Sequence, residues 1–303
     1  MVFRTDLAIE SKGLEHLRQK TEQKGEKAGR ELPGIRTEQE LFASGIAVTR
    51  IRILDGEGRL LTGKPEGNYI TIEVEDLLQE PEERKRTAAR CLAKELERLI
   101  PYHDRLKVLV IGLGNPLVTP DALGPKTLEQ VTVTRHIFMM TGKPQVLRAA
   151  CVSALAPGVT ASTGMETAEL IRQAVELVKP DVVLAVDALA ARDVKRISTT
   201  IQICDTGISP GAGTGNLRKD LTRKRLGVPV VAVGVPTVID SKTLVFDTLG
   251  EFIKEEQEAL KKLEQLEEPL TVTVTDIGRV VEDFAEILSR GINIALCPGI
   301  YSS

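Results

Sequence analysis

The chain contains no tryptophan, and only 3% of its 303 residues are aromatic. A surface that grips single-stranded nucleic acid by stacking bases on rings is therefore not expected. Positive charge is not in excess either. The 40 Lys and Arg stand against 43 Asp and Glu, leaving a net charge of −3, so no global basic field recruits nucleic acid. The four cysteines, Cys91, Cys151, Cys204 and Cys297, are scattered, without CxxC spacing or a Cys/His pairing. Neither a zinc site nor a disulfide framework follows from them. Cys151 and Cys204 lie in apolar runs and read as core thiols. Histidine is scarce: His16, His103 and His136 are the only three, and none has the context of a triad base. The first residues hold no secretory apolar region, and no run of 18 apolar residues occurs. The chain reads as cytoplasmic, with no membrane partner.

What is present is enough apolar material for a sizeable core, at 42% hydrophobic. Residues 1–45 are polar, with helical stretches and no strong apolar stripe. Residues 46–54 and 68–74 alternate with period two around the turn Asp55-Gly56-Glu-Gly58, which predicts a β-hairpin or small antiparallel element. Pro81 opens a helix through Ile100, with Ala88, Cys91, Leu92, Leu96, Leu99 and Ile100 on one face. Beyond it, strands are expected at 107–112, 148–155, 182–188, 199–204 and 229–234, and helices at 126–140, 166–178 and 217–226. That alternation predicts an α/β fold, a mainly parallel sheet flanked by helices. Glu251–Glu268 is charged and helix-prone. A last helix near 276–290 puts Ile277, Val280, Val281, Phe284 and Ile287 on one side.

Two strand-to-loop junctions carry acids. Val108-Leu-Val-Ile-Gly-Leu-Gly-Asn115 ends in a glycine turn that leads to Asp121. The run Val182-Val-Leu-Ala-Val-Asp-Ala-Leu-Ala190 holds Asp187, a carboxylate that is costly to bury without a partner. An acid/base pair in the crevice at the strand ends is one reading. Structural capping acids at a turn and a strand end are the other. Gly112-x-Gly114 lacks the third glycine of a dinucleotide fingerprint, because position 117 is Leu117, and no Walker A sequence is present. Gly207-Ile-Ser209-Pro-Gly211 has the GxSxG form. Its Pro210, however, cannot donate the N–H that an oxyanion hole needs there. The glycine loop at 211–216 with Arg218, Lys219, Arg223, Lys224 and Arg225 reads either as an anion cradle or as a mobile loop beside a solvated basic helix. Residues 157–167 follow one expected strand and precede a helix, so Thr163, Gly164 and Glu166 should lie near the same crevice. Glu166 either caps that helix, the favoured reading, or reaches the site. Asn115, Thr163 and Gly164 are candidate donors to an oxyanion.

Several runs, taken in order, resemble the germination protease family. They are Arg4-Thr-Asp-Leu-Ala8, Gly112-Leu-Gly-Asn115, Val118-Thr-Pro-Asp-Ala-Leu-Gly-Pro125, Thr134-Arg-His136, Pro157-Gly-Val159, Thr163-Gly-Met-Glu-Thr167, Asp187-Ala-Leu-Ala-Ala-Arg192, Thr200-Ile-Gln-Ile203, Asp205-Thr-Gly-Ile208, Pro210-Gly211 and Gly234-Val-Pro-Thr-Val238. The resemblance implies an atypical aspartic endopeptidase, and, since no His/Cys cluster accompanies the acids, no metal or other cofactor is expected. Its substrates would be small acid-soluble spore proteins, degraded in the forespore or spore core at germination. It implies a homotetramer, and a fold similar to that of the hydrogenase maturation proteases. The family's two essential aspartates fall on Asp121 and Asp187.

The resemblance also implies a zymogen. The family cuts after an acidic residue in sites resembling Thr-Glu-(Phe/Ile)-Ala-(Ser)-Glu, and Thr5-Asp6-Leu7-Ala8-Ile9-Glu10 follows that pattern. Self-cleavage is expected between Asp6 and Leu7, leaving residues 1–6 as propeptide and 7–303 as one α/β peptidase domain that includes a charged helical segment at 251–270. Only Met1, Val2 and Phe3 precede the Arg-Thr-Asp-Leu-Ala motif, so weak inhibition by the propeptide is expected. Two rival readings stand beside this one. The first is a metal-dependent maturation-type protease using the same acids with His136. The second is a non-catalytic peptide- or anion-binding module.

Overall fold

The computed structural model describes residues 10, 32–74, 77, 81–141, 148–210, 219–245, 248 and 270–301. Nine strands form one mixed sheet: β1 (Ile35–Leu41), β2 (Ala47–Ile53), β3 (Gly67–Glu73), β4 (Lys107–Gly112), β5 (Cys151–Leu155), β6 (Val182–Ala191), β7 (Thr200–Cys204), β8 (Val230–Asp240) and β9 (Thr271–Val272). The order across the sheet is β1-β2-β3-β7-β8-β6-β4-β5, with β9 added to β8.

The expectation of a mainly parallel sheet is corrected here. Parallel pairing is confined to β5, β4, β6 and β8. Every other neighbouring pair runs antiparallel. The reason is that β7 returns antiparallel beside β8 and so admits the antiparallel β3, β2 and β1 to the same sheet. Strands β2 and β3 do pair antiparallel, but no tight turn joins them. Asp55 accepts the N–H groups of Glu57 and Gly58 at 3.0 and 3.1 Å and thereby caps helix α1 (Gly56–Thr62). Strand β1 lies where helical stretches were expected. It is an edge strand with mostly exposed side chains, so it carries no alternating apolar signal.

Helices α2 (Pro81–Leu99) and α8 (Ile277–Leu296) cover one face of the sheet, with α3 (Leu123–Leu128) against α8. Leu92, Leu96, Phe284, Leu288 and Ile292 are buried there against Val108, Val110, Leu184 and Val186. Gly291 lets the two long helices meet, because a Cβ there would stand 2.7 Å from Leu92. The helix expected over 126–140 is instead two, α3 and α4 (Arg135–Thr141). The intervening Val131-Thr-Val-Thr134 is β-branched throughout and a poor helix former. Its polar groups serve tertiary contacts: Thr134 donates to the Ala150 carbonyl at 2.5 Å, and Thr132 N–H donates to Asn293 at 2.8 Å.

The opposite face carries α5 (Thr160–Thr163) and α6 (Thr167–Val178) in the β5–β6 crossover. Ala168, Ile171 and Val175 of α6 pack on Leu109, Ile111, Val183 and Ala185. Of the helix expected over 217–226, the short α7 (Arg223–Leu226) is helical among the described residues. Residues 251–268 and the glycine loop at 211–216 lie outside the described residues. Cys91 and Cys297 are the enclosed thiols, whereas Cys151 and Cys204 are only partly buried.

Candidate functional site

The sheet topology brings Asp121 and Asp187 to one edge. Strands β4 and β6 are parallel neighbours, and their ladder ends at Gly112 opposite Val186. One more bond follows, from Leu113 N–H to the Val186 carbonyl at 2.8 Å. Asp187 is therefore the first residue of β6 beyond its neighbour, while β6 itself continues to Ala191 beside β8. It sits within a strand, not at a strand end as its sequence context implied. Its side chain is 5% exposed, and one carboxylate oxygen accepts the N–H of Ala188 at 2.9 Å.

After Leu113 the chain turns through Gly114, whose φ is +112°. A Cβ at Gly114 would lie 2.0 Å from the Asp121 carbonyl oxygen, and one at Gly124 would lie 2.2 Å from the Leu113 carbonyl oxygen and 2.7 Å from that of Val186. The glycines of this region thus let the loop and the start of α3 fold down onto β4 and β6. Asp121 closes a short 3-10 turn, Thr119–Asp121, which touches β6, β8 and α8. The turn also fixes the carboxylate: Asn115 N–H donates to Asp121 Oδ2 at 2.7 Å. Asp121 does not cap α3, which starts without a side-chain cap bond.

The supporting candidates divide. Asn115 orients Asp121 through its backbone, and its side-chain oxygen accepts Leu117 N–H at 3.0 Å. Thr163 and Gly164 follow β5 at the same edge of the parallel strands. The Thr163 hydroxyl is engaged locally with the carbonyls of Val159 and Met165, at 3.3 and 3.2 Å, and Gly164 ends α5 in the left-handed conformation. Glu166 does not cap α6 by its side chain, contrary to the favoured reading. Its Oε1 is buried without a hydrogen-bond partner among the described residues. It stands where α6 begins, at the edge that carries both aspartates. The loops also expose apolar side chains, with Leu117 at 88% and Met165 at 51%.

His136 is not part of this edge. It is exposed on α4, just after Thr134, which bonds to Ala150 and Val152 where β5 begins. That is the opposite edge of the parallel strands. No group of three or more His, Cys, Asp or Glu that could hold a metal comes together among the described residues. Asp6 and Leu7 lie outside the described residues.

One feature escaped the pattern of the sequence. In register across the sheet, Asp187 faces Gly234, Gly234 faces Gln202, Gln202 faces Thr71, and Thr71 faces Thr49. Gln202 and Thr71 are buried and hydrogen-bonded at 3.1 Å, and the Gln202 amide also donates to the Ile70 carbonyl at 3.0 Å. Polar residues on three neighbouring strands thus line up with Asp187 across the sheet, with Gly234 between. Single polar residues on separate strands give no periodic signal. Only the register joins them.

Comparison with known proteins gives the family. A family model described as germination protease matches residues 8–265. The chain belongs to the germination protease family. It is 41% identical to the germination protease of Caldanaerobacter subterraneus subsp. tengcongensis, over 98% of this chain and 95% of that protein. It is 39% identical to that of Clostridium tetani, over 99% of this chain and 97% of the relative. With that of Oceanobacillus iheyensis the identity is 45%, over 83% of this chain and 68% of the relative. As a germination protease family member it is a peptidase, a hydrolase that acts on protein substrates in germination. No helix among its described residues is long and apolar enough to cross a membrane.

Proposed function

We propose that the chain is an endopeptidase that starts the degradation of small acid-soluble spore proteins during germination, using Asp121 and Asp187 as a catalytic pair. The observation that supports this reading is the placement of two acids at one edge of the parallel strands. One is buried in β6 just beyond the end of β4, and the other is held by a backbone N–H in the loop that leaves β4. Peptide hydrolysis needs a base to take a proton from water and an acid to give one to the leaving nitrogen. Two carboxylates sharing one proton can supply both. The ionised member removes a proton as water oxygen attacks the carbonyl carbon. The protonated member delivers its proton as the C–N bond breaks. The pair titrates as a unit, so the roles belong to the pair. Leu117, Val118 and Met165, exposed on the adjoining loops, offer apolar contact to a peptide.

Further parts of the reading come from the family. Residues 1–6 act as a propeptide released by self-cleavage between Asp6 and Leu7, and 7–303 form the peptidase domain. The enzyme works as a homotetramer in the cytoplasm of the forespore and spore core, on a scaffold akin to the hydrogenase maturation proteases. The metal-dependent alternative is less favoured, because His136 lies at the other edge of the strands from the two acids.

The test is digestion of a small acid-soluble spore protein by the wild-type chain and by Asp187→Asn, with fragments and the enzyme's own N-terminus mapped by mass spectrometry. Discrete fragments from the wild type alone, and a mature N-terminus at Leu7, are expected. Equal digestion by the variant would overturn the aspartate pair. An intact N-terminus in fully active enzyme would overturn the propeptide.

A further inference from the structure

A recess of about 250 Å³ opens between the antiparallel strands β1–β3 and the C-terminal end of α2, several strands away from the two aspartates. Its charged lining is four arginines and two glutamates. Arg50 is committed to acids, binding Glu95 at 2.6 and 2.8 Å and Glu40 at 2.7 Å. Arg98 donates to the same Glu95 carboxylate at 3.2 Å, so two guanidiniums share one buried acid. Glu38, the other lining acid, is exposed on β1. Arg52 has no hydrogen bond or ion pair among the described residues. Positive charge is therefore in excess around the recess.

The strand register sharpens that excess. Arg52 directly faces Arg36 on β1 and Asn68 on β3, and Asn68 spends its amide on Asp205 at 2.6 Å. Like charges opposite each other on a ladder cost stability. Packing does not require them here, since both arginines are exposed. An anion between them turns the cost into a gain. Guanidiniums offer paired donors that match phosphate oxygens. A carboxylate presents two oxygens in a plane, whereas a phosphate presents three, which suits arginines supplied by β1, β2 and α2. Ile70, 4% exposed, and Leu99 add an apolar wall. The volume admits a phosphate with a small ring, and falls below the range of about 300–1,000 Å³ that drug-sized ligands fill.

We propose that this recess is a binding site for a small phosphomonoester. Its phosphate lies between Arg36 and Arg52, with Arg98 as the third cation, and its organic body rests on Ile70 and Leu99. The bound phosphate neutralises the facing arginines and braces β1 and β2 against α2. The proposal goes beyond the protease reading and does not depend on it.

The test is isothermal titration of the full chain with phenyl phosphate, inorganic phosphate and benzoate, at fixed ionic strength in chloride. Phenyl phosphate should bind about fivefold tighter than inorganic phosphate, the worth of roughly 40 Å² of apolar contact, and benzoate should bind most weakly. Arg52→Gln should weaken both phosphates about tenfold, the scale of losing one charge-assisted bond. Arg223→Gln with Lys224→Gln, on the basic helix α7, should leave them unchanged. Because it removes a like-charged neighbour, Arg52→Gln should melt no lower than wild type in chloride. It should also lose the rise in Tm that phenyl phosphate gives the wild type. No binding, equal affinity in Arg52→Gln, or a loss confined to the α7 variant would overturn the site. Benzoate binding tighter than phosphate would overturn the ligand class. A lower Tm for Arg52→Gln in chloride would overturn the repulsion from which the anion is argued.

Discussion

Asn115 N–H and Asp121 Oδ2 lie 2.7 Å apart, so the loop leaving β4 turns back on itself to hold an acid beside β6. This bond aims one carboxylate at the edge where Asp187 is buried. Asp121→Asn and Asp187→Asn keep side-chain shape and an oxygen acceptor but remove the shared proton chemistry. Each is expected to lower kcat by about three orders of magnitude or more, on the scale of losing a general acid or base, with an unchanged far-UV CD spectrum. Near-normal turnover in both variants would refute the pair.

Gly114 is the hinge of that loop. Its positive φ and the 2.0 Å approach of the Asp121 carbonyl leave no room for a Cβ. Gly114→Ala should cost about 1–3 kcal/mol from backbone strain alone, read in urea unfolding. It should also displace Asp121 and depress activity beyond what stability explains. A variant as stable and active as wild type would show that the loop tolerates another path.

Chelation separates the two protease chemistries. With no three-ligand group among the described residues, activity should survive dialysis against EDTA unchanged. Loss of activity with rescue by a divalent ion would favour a metal at the two aspartates.

Glu95 is fully buried on α2 and binds Arg50 of β2 through both carboxylate oxygens, at 2.6 and 2.8 Å. The bonds to Glu95 raise the Arg50 pKa further above its ordinary value. This pair ties the antiparallel wing to the helical layer, far along the sheet from Asp187. Removing Glu95 takes away two charge-assisted bonds and leaves Arg50 with Glu40, at 2.7 Å, so Glu95→Ala should destabilise by about 1–3 kcal/mol. The double change Arg50→Met with Glu95→Leu should recover much of that loss. A cost no greater in the single variant than in the double would contradict a charge penalty.

Cys91 and Cys297 are both pushed up to about 11 by burial. At pH 8 they are almost wholly protonated and shielded, so iodoacetamide should spare them in the folded enzyme. Ordinary thiols titrate near about 8.5. The raised values therefore add stability that is complete below that pH and is lost as pH climbs toward about 11. Alkaline unfolding should shift upward when both are replaced by alanine at matched neutral stability. Rapid native labelling of either thiol would contradict its burial.

Strong periodic segments were legible as they stood. The apolar runs at Val108–Gly112 and Val182–Ala191, and the stripe of Leu92 and Leu96, each carry enough burial to declare strand or helix unaided. The edge strand β1 was not legible, because its exposed face hides the period. The break between α3 and α4 was hidden too, because the segment between them is held by tertiary bonds from Thr132 to Asn293 and from Thr134 to Ala150.

The same division holds for the chemistry. By itself the sequence determined the two acids, their flanking glycines and the family, because residue type, order and local apolarity survive without coordinates. Only the tertiary structure decided that Asp121 and Asp187 share an edge while His136 lies at the other. It alone showed that Glu166 is no cap, that Gln202 and Thr71 line up with Asp187 across the sheet, and that Glu10 rests on Arg192, Asp193 and Arg196. Apart from Glu166, these are relations between residues tens to nearly two hundred positions apart. Strand register and loop closure create them, and neither is written in any local stretch of chain.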